Sequence, residues 1–186
     1  MTIRVMLDTD TPLMLKPLAA ILATYADLID AAQLAQLEVA WGQVVLIDRG
    51  LGDPLGKASV IDVEAHARGA AAVPGWYDAK HAAGVKHPTV YADRSTMPAV
   101  DTAAGARPIS RWYATLDGTA FGPGHTPGIA PAAIQILGAA QLGYHADLSL
   151  VFEDGWNPAP AAAAPGWLKQ CTADASALAA VLKAHT

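Results

Sequence analysis

The chain has 186 residues, of which 53% are hydrophobic and only 16% charged, a balance that suits one domain around one sizeable core. A formal net charge of −5, without clustered Lys and Arg, argues against a nucleic-acid partner, since phosphate binding needs concentrated positive charge. A single cysteine, Cys171, excludes an internal disulfide and a cysteine-built zinc site, and no stretch reaches the roughly 20 uninterrupted apolar residues of a membrane span.

The opening MTIRVMLDTDTP carries one Arg followed by acids. It lacks the basic segment and long apolar run of a secretory signal, so synthesis in the cytoplasm without a signal peptide is expected. Short apolar, β-rich runs then recur at residues 3–7, 21–25, 43–47, 59–63, 89–91, 110–114, 133–136 and 147–152. Strands interleaved with connecting segments have the rhythm of a barrel built on parallel strands. Three connections have helical character. Residues 30–39 place Leu34 and Leu37 three apart behind a capping Asp30, residues 70–83 are Ala-rich and closed by Gly84, and residues 95–104 run from a capping Ser95 to Gly105. Residues 119–131, TAFGPGHTPGIAP, are too dense in Gly and Pro for anything but a loop. A full (β/α)8 barrel takes about 250 residues. The expected fold is therefore a compact (β/α)8 TIM-barrel-like domain over residues 1–156, with its outer helices reduced. NPAPAAAAPGW opens a Pro/Ala-rich linker spanning residues 157–171. Residues 172–186 follow as a C-terminal helix, capped by Thr172 and striped by Leu178, Val181 and Leu182. That helix either packs on the barrel or docks on a partner.

The fourth strand carries the chemistry. In ASVIDVEAHAR, residues 58–68, alternation along a strand turns Ile61 and Val63 to one layer and Asp62 and Glu64, with His66 beyond, to the other. Two residues of strand rise separate the Asp62 and Glu64 backbones by roughly 7 Å, near the spacing of carboxyl pairs that flank a glycosidic bond. Such a bond needs a proton on its leaving oxygen and negative charge near the oxocarbenium-like centre. Carboxyls in unlike environments can divide those tasks.

The ordered series VIDVE, PGWYDAKHAAGVKHPTVYAD, RWYATLDG and AIQILGAAQLGYHADLSLV resembles the glycoside-hydrolase-like domains related to family 25 lysozymes, common in actinobacteria and their phages. The similarity covers roughly residues 3–156 and implies a muramidase with a (β/α) barrel whose acids sit at strand C-termini. It implies Glu64 as general acid and Asp62 as its companion, steering a substrate amide or stabilising positive charge at the sugar. Asp8, ending the first strand, and Asp147, in the last, match further places where the family sets carboxylates in the cleft. No metal and no organic cofactor is implied. The implied partner is peptidoglycan or a related glycan, and a phage protein of this kind works in the virion or is released to the cell wall.

Tyr25, Tyr91 and Trp112 lie in or at the ends of strands, where rings can stack on sugars or fill a core. Gln135 offers a donor and an acceptor to an N-acetyl group, or serves as an interior amide. Asp27, Asp48 and Asp117 follow other strands, as capping or turn-forming aspartates commonly do, and stand outside the catalytic set. The histidines show no paired-ligand spacing, there is no GxSxG elbow, and GLGDPLG at residues 50–56 lacks the lysine and hydroxyl of a phosphate loop. A barrel enzyme acting on a phosphorylated metabolite is disfavoured, because the late loops carry no basic or Gly-rich anion site. The competing class is non-enzymatic. A phage virion or envelope component could keep the barrel for glycan binding or structural attachment, joined to other phage structural proteins through the C-terminal helix.

Overall fold

A computed structural model of the chain describes residues 4–15, 21–41, 43–64, 68–116, 131–142 and 145–151. Eight strands close into a barrel in sequence order: β1 (Arg4–Asp8), β2 (Ile21–Tyr25), β3 (Val44–Asp48), β4 (Val60–Asp62), β5 (Thr89–Asp93), β6 (Ser110–Ala114), β7 (Ala133–Leu137) and β8 (Asp147–Val151). Each coincides with one of the apolar runs of the sequence. The linker, the C-terminal helix, the bulk of the Gly/Pro-rich loop, His66 and Asp117 lie outside the described residues.

An all-parallel barrel is not what forms. The strands β1 to β7 pair in parallel, but β8 runs antiparallel to both β7 and β1. Chain length supplies the reason. Residues 138–146, which join β7 to β8, form the shortest connection between strands, shorter than the segment 49–59 that carries the parallel crossover from β3 to β4, so the chain turns back instead. The barrel is consequently mixed, and its first strand is sealed by a reversed neighbour.

Alternation decides what each strand residue does. One buried cluster draws on all eight strands and on no helix: Met6, Ile21, Ala23, Val45, Ile47, Val60, Tyr91, Trp112, Ala114, Ala133 and Val151 belong to it. It is the barrel interior. The intervening residues Leu7, Leu22, Leu46, Ile134, Leu148 and Leu150 face outward and pack with Leu34, Leu37 and Trp41 of α1 (Ala31–Trp41). On the other flank Ile61, Val90, Ala92 and Tyr113 meet Trp76 and Tyr77 of α2 (Val73–Ala82) and Met97 and Val100 of α3 (Met97–Ala104). A single turn, α4 (Ala139–Leu142), precedes β8. Among the described residues no helix is long and apolar enough to cross a membrane.

The helices form where local chemistry satisfies their ends. Asp30 Oδ1 accepts from the Gln33 N–H at 2.8 Å while Gln33 Oε1 accepts from the Asp30 N–H at 2.9 Å, a reciprocal capping box that starts α1. Leu34, Leu37 and Trp41 then recur at helical spacing and bury one stripe. A 3-10 turn, Ala70–Ala72, runs into α2, with Pro74 at its start. The helix ends where Gly84 adopts φ +85° and the Val85 N–H reaches back to the Lys80 carbonyl. For α3 the expected Ser95 cap is replaced. Asp93 Oδ1, two residues earlier, accepts from the Thr96 N–H and the Ser95 hydroxyl, both at 2.7 Å, and the helix begins only at Met97.

Candidate active site

In a barrel of parallel strands, inward residues at strand C-termini converge on one mouth. Asp8 follows Met6 on the inward face of β1, and Asp62 follows Val60 on that of β4. Glu64 lies two residues past Asp62, just beyond the strand, while Ile61 and Val63 pack outward against α2 and α3. The reversal of β8 supplies the fourth carboxylate. An antiparallel strand starts where its neighbours end, so Asp147, the first residue of β8, pairs in register with Asp8, the last of β1. The structure thus brings Asp8, Asp62, Glu64 and Asp147 together, close enough for Asp8 to feel the charge of the other three.

Their environments differ. Asp8 is 6% exposed and Asp62 5%, and in each the Oδ1 atom has no hydrogen-bond partner among the described residues. Burial, reinforced by Asp147, Asp62 and Glu64, pushes the Asp8 carboxyl well above the usual range. Burial and then Glu64 push Asp62 up to about 7, against the opposing pull of the Glu64 backbone N–H and the Arg49 charge. Asp147 is half-buried. Burial raises it as well, but the Ala139 N–H and the Gln135 side chain, bonded to its two oxygens, hold it back. Glu64 is half-buried and the more accessible member of its pair.

The polar and aromatic candidates divide between the interior and the mouth. Trp112 is fully buried inside the barrel, where its indole N–H donates to Ser149 Oγ at 3.1 Å and Tyr91 packs edge-on against it. The Tyr91 hydroxyl donates to Gln135 Oε1, and Gln135 Nε2 donates to Asp147 Oδ2, so a buried chain of polar groups runs from β5 to β8. Gln135 is 1% exposed and spends its amide on this chain. Trp112 and Gln135 therefore stand behind the mouth rather than on its wall, and Gln135 positions Asp147. Tyr25 is different. It is half-buried and borders the open space, with the Arg49 guanidinium 4.6 Å from its ring centroid. Arg49 is itself tied to both oxygens of Asp27, and Asp48 accepts from the Gly50 N–H and pairs with Arg68 at 3.5 Å. Asp27 and Asp48 have structural partners of their own.

Beside β1 and β8 opens a cavity of about 510 Å³, lined by Asp8, Asp147 and Tyr25 together with Asp10, Thr11 and His145. Thr9, also on its wall, ties the segment before β8 to β2: its hydroxyl donates to the His145 carbonyl at 2.7 Å, and its own carbonyl accepts from Thr24 Oγ1. Sequence reasoning passed over Asp10, Thr9, Thr11 and His145. The available signal was their position in segments that adjoin the mouth end of β1 and β8. Among the described residues no group of three or more His, Cys, Asp or Glu side chains is arranged to hold a metal ion.

This arrangement can keep a proton on a carboxyl near neutral pH, a requirement of acid-assisted cleavage at an acetal carbon. The fold and site define a closed, mixed eight-stranded barrel with an acidic mouth. No family model, no curated protein and no solved structure matches the chain.

Proposed function

We propose that the chain is a glycan-strand hydrolase of muramidase type, cleaving the β-1,4 link of peptidoglycan. The convergence of Asp8, Asp62, Glu64 and Asp147 at one barrel mouth carries this reading. Two carboxyls two residues apart repel each other's charge, so the Asp62 and Glu64 pair retains one proton around neutral pH. Glu64, the more accessible of the two, delivers that proton to the glycosidic oxygen as the C–O bond breaks; water then adds to the anomeric carbon and its proton returns to the pair, where Asp62 assists by sharing it. Asp147, whose two oxygens accept from Gln135 Nε2 and the Ala139 N–H, is positioned by them to stabilise the developing oxocarbenium ion. On this reading the mixed barrel is a reduced relative of the (β/α)8 TIM barrel, and the protein works at the cell wall, as a phage virion component or after release.

The test is release of reducing ends from purified actinobacterial cell wall. Wild type is expected to release them, and Glu64→Gln to be slower by about 10² to 10⁴, the usual worth of a positioned general acid. Full activity in Glu64→Gln removes the assignment. A second reading, glycan binding or structural attachment within a virion without cleavage, is favoured by the deep burial of Asp8 and Asp62. It predicts wall binding with no reducing ends released by either protein.

A further inference from the structure

We propose that the cavity beside β1 and β8 is a subsite for a primary ammonium group on the glycan, so that the protein selects wall polymer carrying free amines over fully N-acetylated polymer. This rests on the glycan reading above. About 510 Å³ lies within the span of small-molecule sites and accommodates a sugar ring. Its wall carries Asp8, Asp10 and Asp147, and among the described residues that line it there is no Lys or Arg. The nearby Arg49, stacked on Tyr25, has its guanidinium committed to Asp27 in a two-bond pair, with N–O distances of 2.7 and 3.1 Å.

Asp8 is the second, independent observation. It is more than nine-tenths buried, it lines the cavity, and its Oδ1 has no donor among the described residues. A buried acceptor without a donor is costly, and a charged donor repays more of that cost than a neutral one. The Thr9 hydroxyl is already engaged with the His145 carbonyl and the Thr11 N–H. An ammonium brings three N–H donors and a positive charge to this acceptor-rich wall. An N-acetyl group brings one uncharged N–H and turns a carbonyl acceptor toward carboxylates. The amine could belong to a de-acetylated amino sugar or to a peptide stem, and the chemistry recognised is the same.

Calorimetric titration of the full chain distinguishes these sources with three probes: a glucosamine oligosaccharide, its fully N-acetylated counterpart of equal length, and a stem peptide with a free side-chain amine. The glucosamine oligosaccharide, titrated where its amines are protonated, is expected to bind about tenfold more tightly than the acetylated one, the worth of one charge-assisted hydrogen bond. Asp8→Asn is expected to abolish the preference. Should that variant fail to fold, Asp10→Asn, at an exposed position, is expected to reduce the preference about twofold to fivefold. Binding of the stem peptide alone keeps the ammonium subsite and assigns its source to peptide. Binding of both sugars with equal affinity, a preference for the acetylated sugar, or no binding of any of the three probes overturns the proposal. Preference of the acetylated sugar would mean that Asp8 acts as a neutral acid donating to the acetyl carbonyl. Reducing-end release by wild type is scored separately. Preference without turnover removes the hydrolase reading and leaves the subsite, whereas turnover without preference does the reverse.

Discussion

Asp62 links the mouth to the stability of the whole chain through pH. Its carboxyl is pushed up to about 7 when folded, from 3.8 in the absence of the fold. Between those values the folded chain holds more protons than the unfolded one, so stability falls as pH rises through that window and levels off above it. Asp8 and Asp147, also raised, add to the decline. Chemical denaturation from about pH 4 to pH 8 is expected to show stability highest at the acid end. Asp62→Asn should make the decline shallower by on the order of a few kcal/mol, and an unchanged slope would show that Asp62 titrates normally. On the proposed hydrolase reading, the same ionisation bears on turnover. Reducing-end release should fall above about pH 7, as the pair formed by Asp62 and Glu64 loses its shared proton. Asp62 and Glu64 were legible because strand alternation fixes their shared face. The roles of Gln135 and Tyr91 were not, since an amide inside a barrel looks the same in sequence whether it meets a ligand or holds a neighbouring carboxylate.

Among the elements, the strands were far easier to recognise than their directions. A run such as DLSLV has an apolar pattern that reads equally well from either end, so periodicity located β8 without revealing its reversal. The span of residues 138–146 held that information, because a chain that short returns rather than crosses over. Helix starts show the same split. Asp30 and Gln33 form a recognisable capping pair, whereas the α3 start depends on Asp93, which also ends a strand and so hides among strand residues. At the close of α2, Gly84 sits at φ +85° with open space where a Cβ would project. Gly84→Ala is therefore expected to cost about 1 kcal/mol from backbone conformation alone. Thermal unfolding measures it, and a neutral result would mean that the turn adopts another geometry.

For the molecule as a whole, one interior holds the barrel closed. Trp112 is fully buried in it, packed against Tyr91 and bonded to Ser149 on the far strand β8. Trp112→Ala should destabilise the fold by about 3 to 5 kcal/mol, through lost transfer energy and the cavity left behind. Trp112→Phe should recover much of the packing and lose only the indole hydrogen bond. Denaturant unfolding of both variants tests the order, and equal losses would place the hydrogen bond above the packing. The mouth was less legible than the core for a physical reason. Core residues announce themselves by period, but the cavity wall is assembled from segments that follow or precede different strands, and only closure of the barrel makes Asp10 and His145 neighbours.

Reversal of the last strand also determines how the molecule can be mounted. Val151, at the end of β8, pairs with Arg4 at the start of β1, on the floor opposite the acids. A module grafted directly after Val151 would therefore leave from the end of the barrel opposite Asp8 and Asp147.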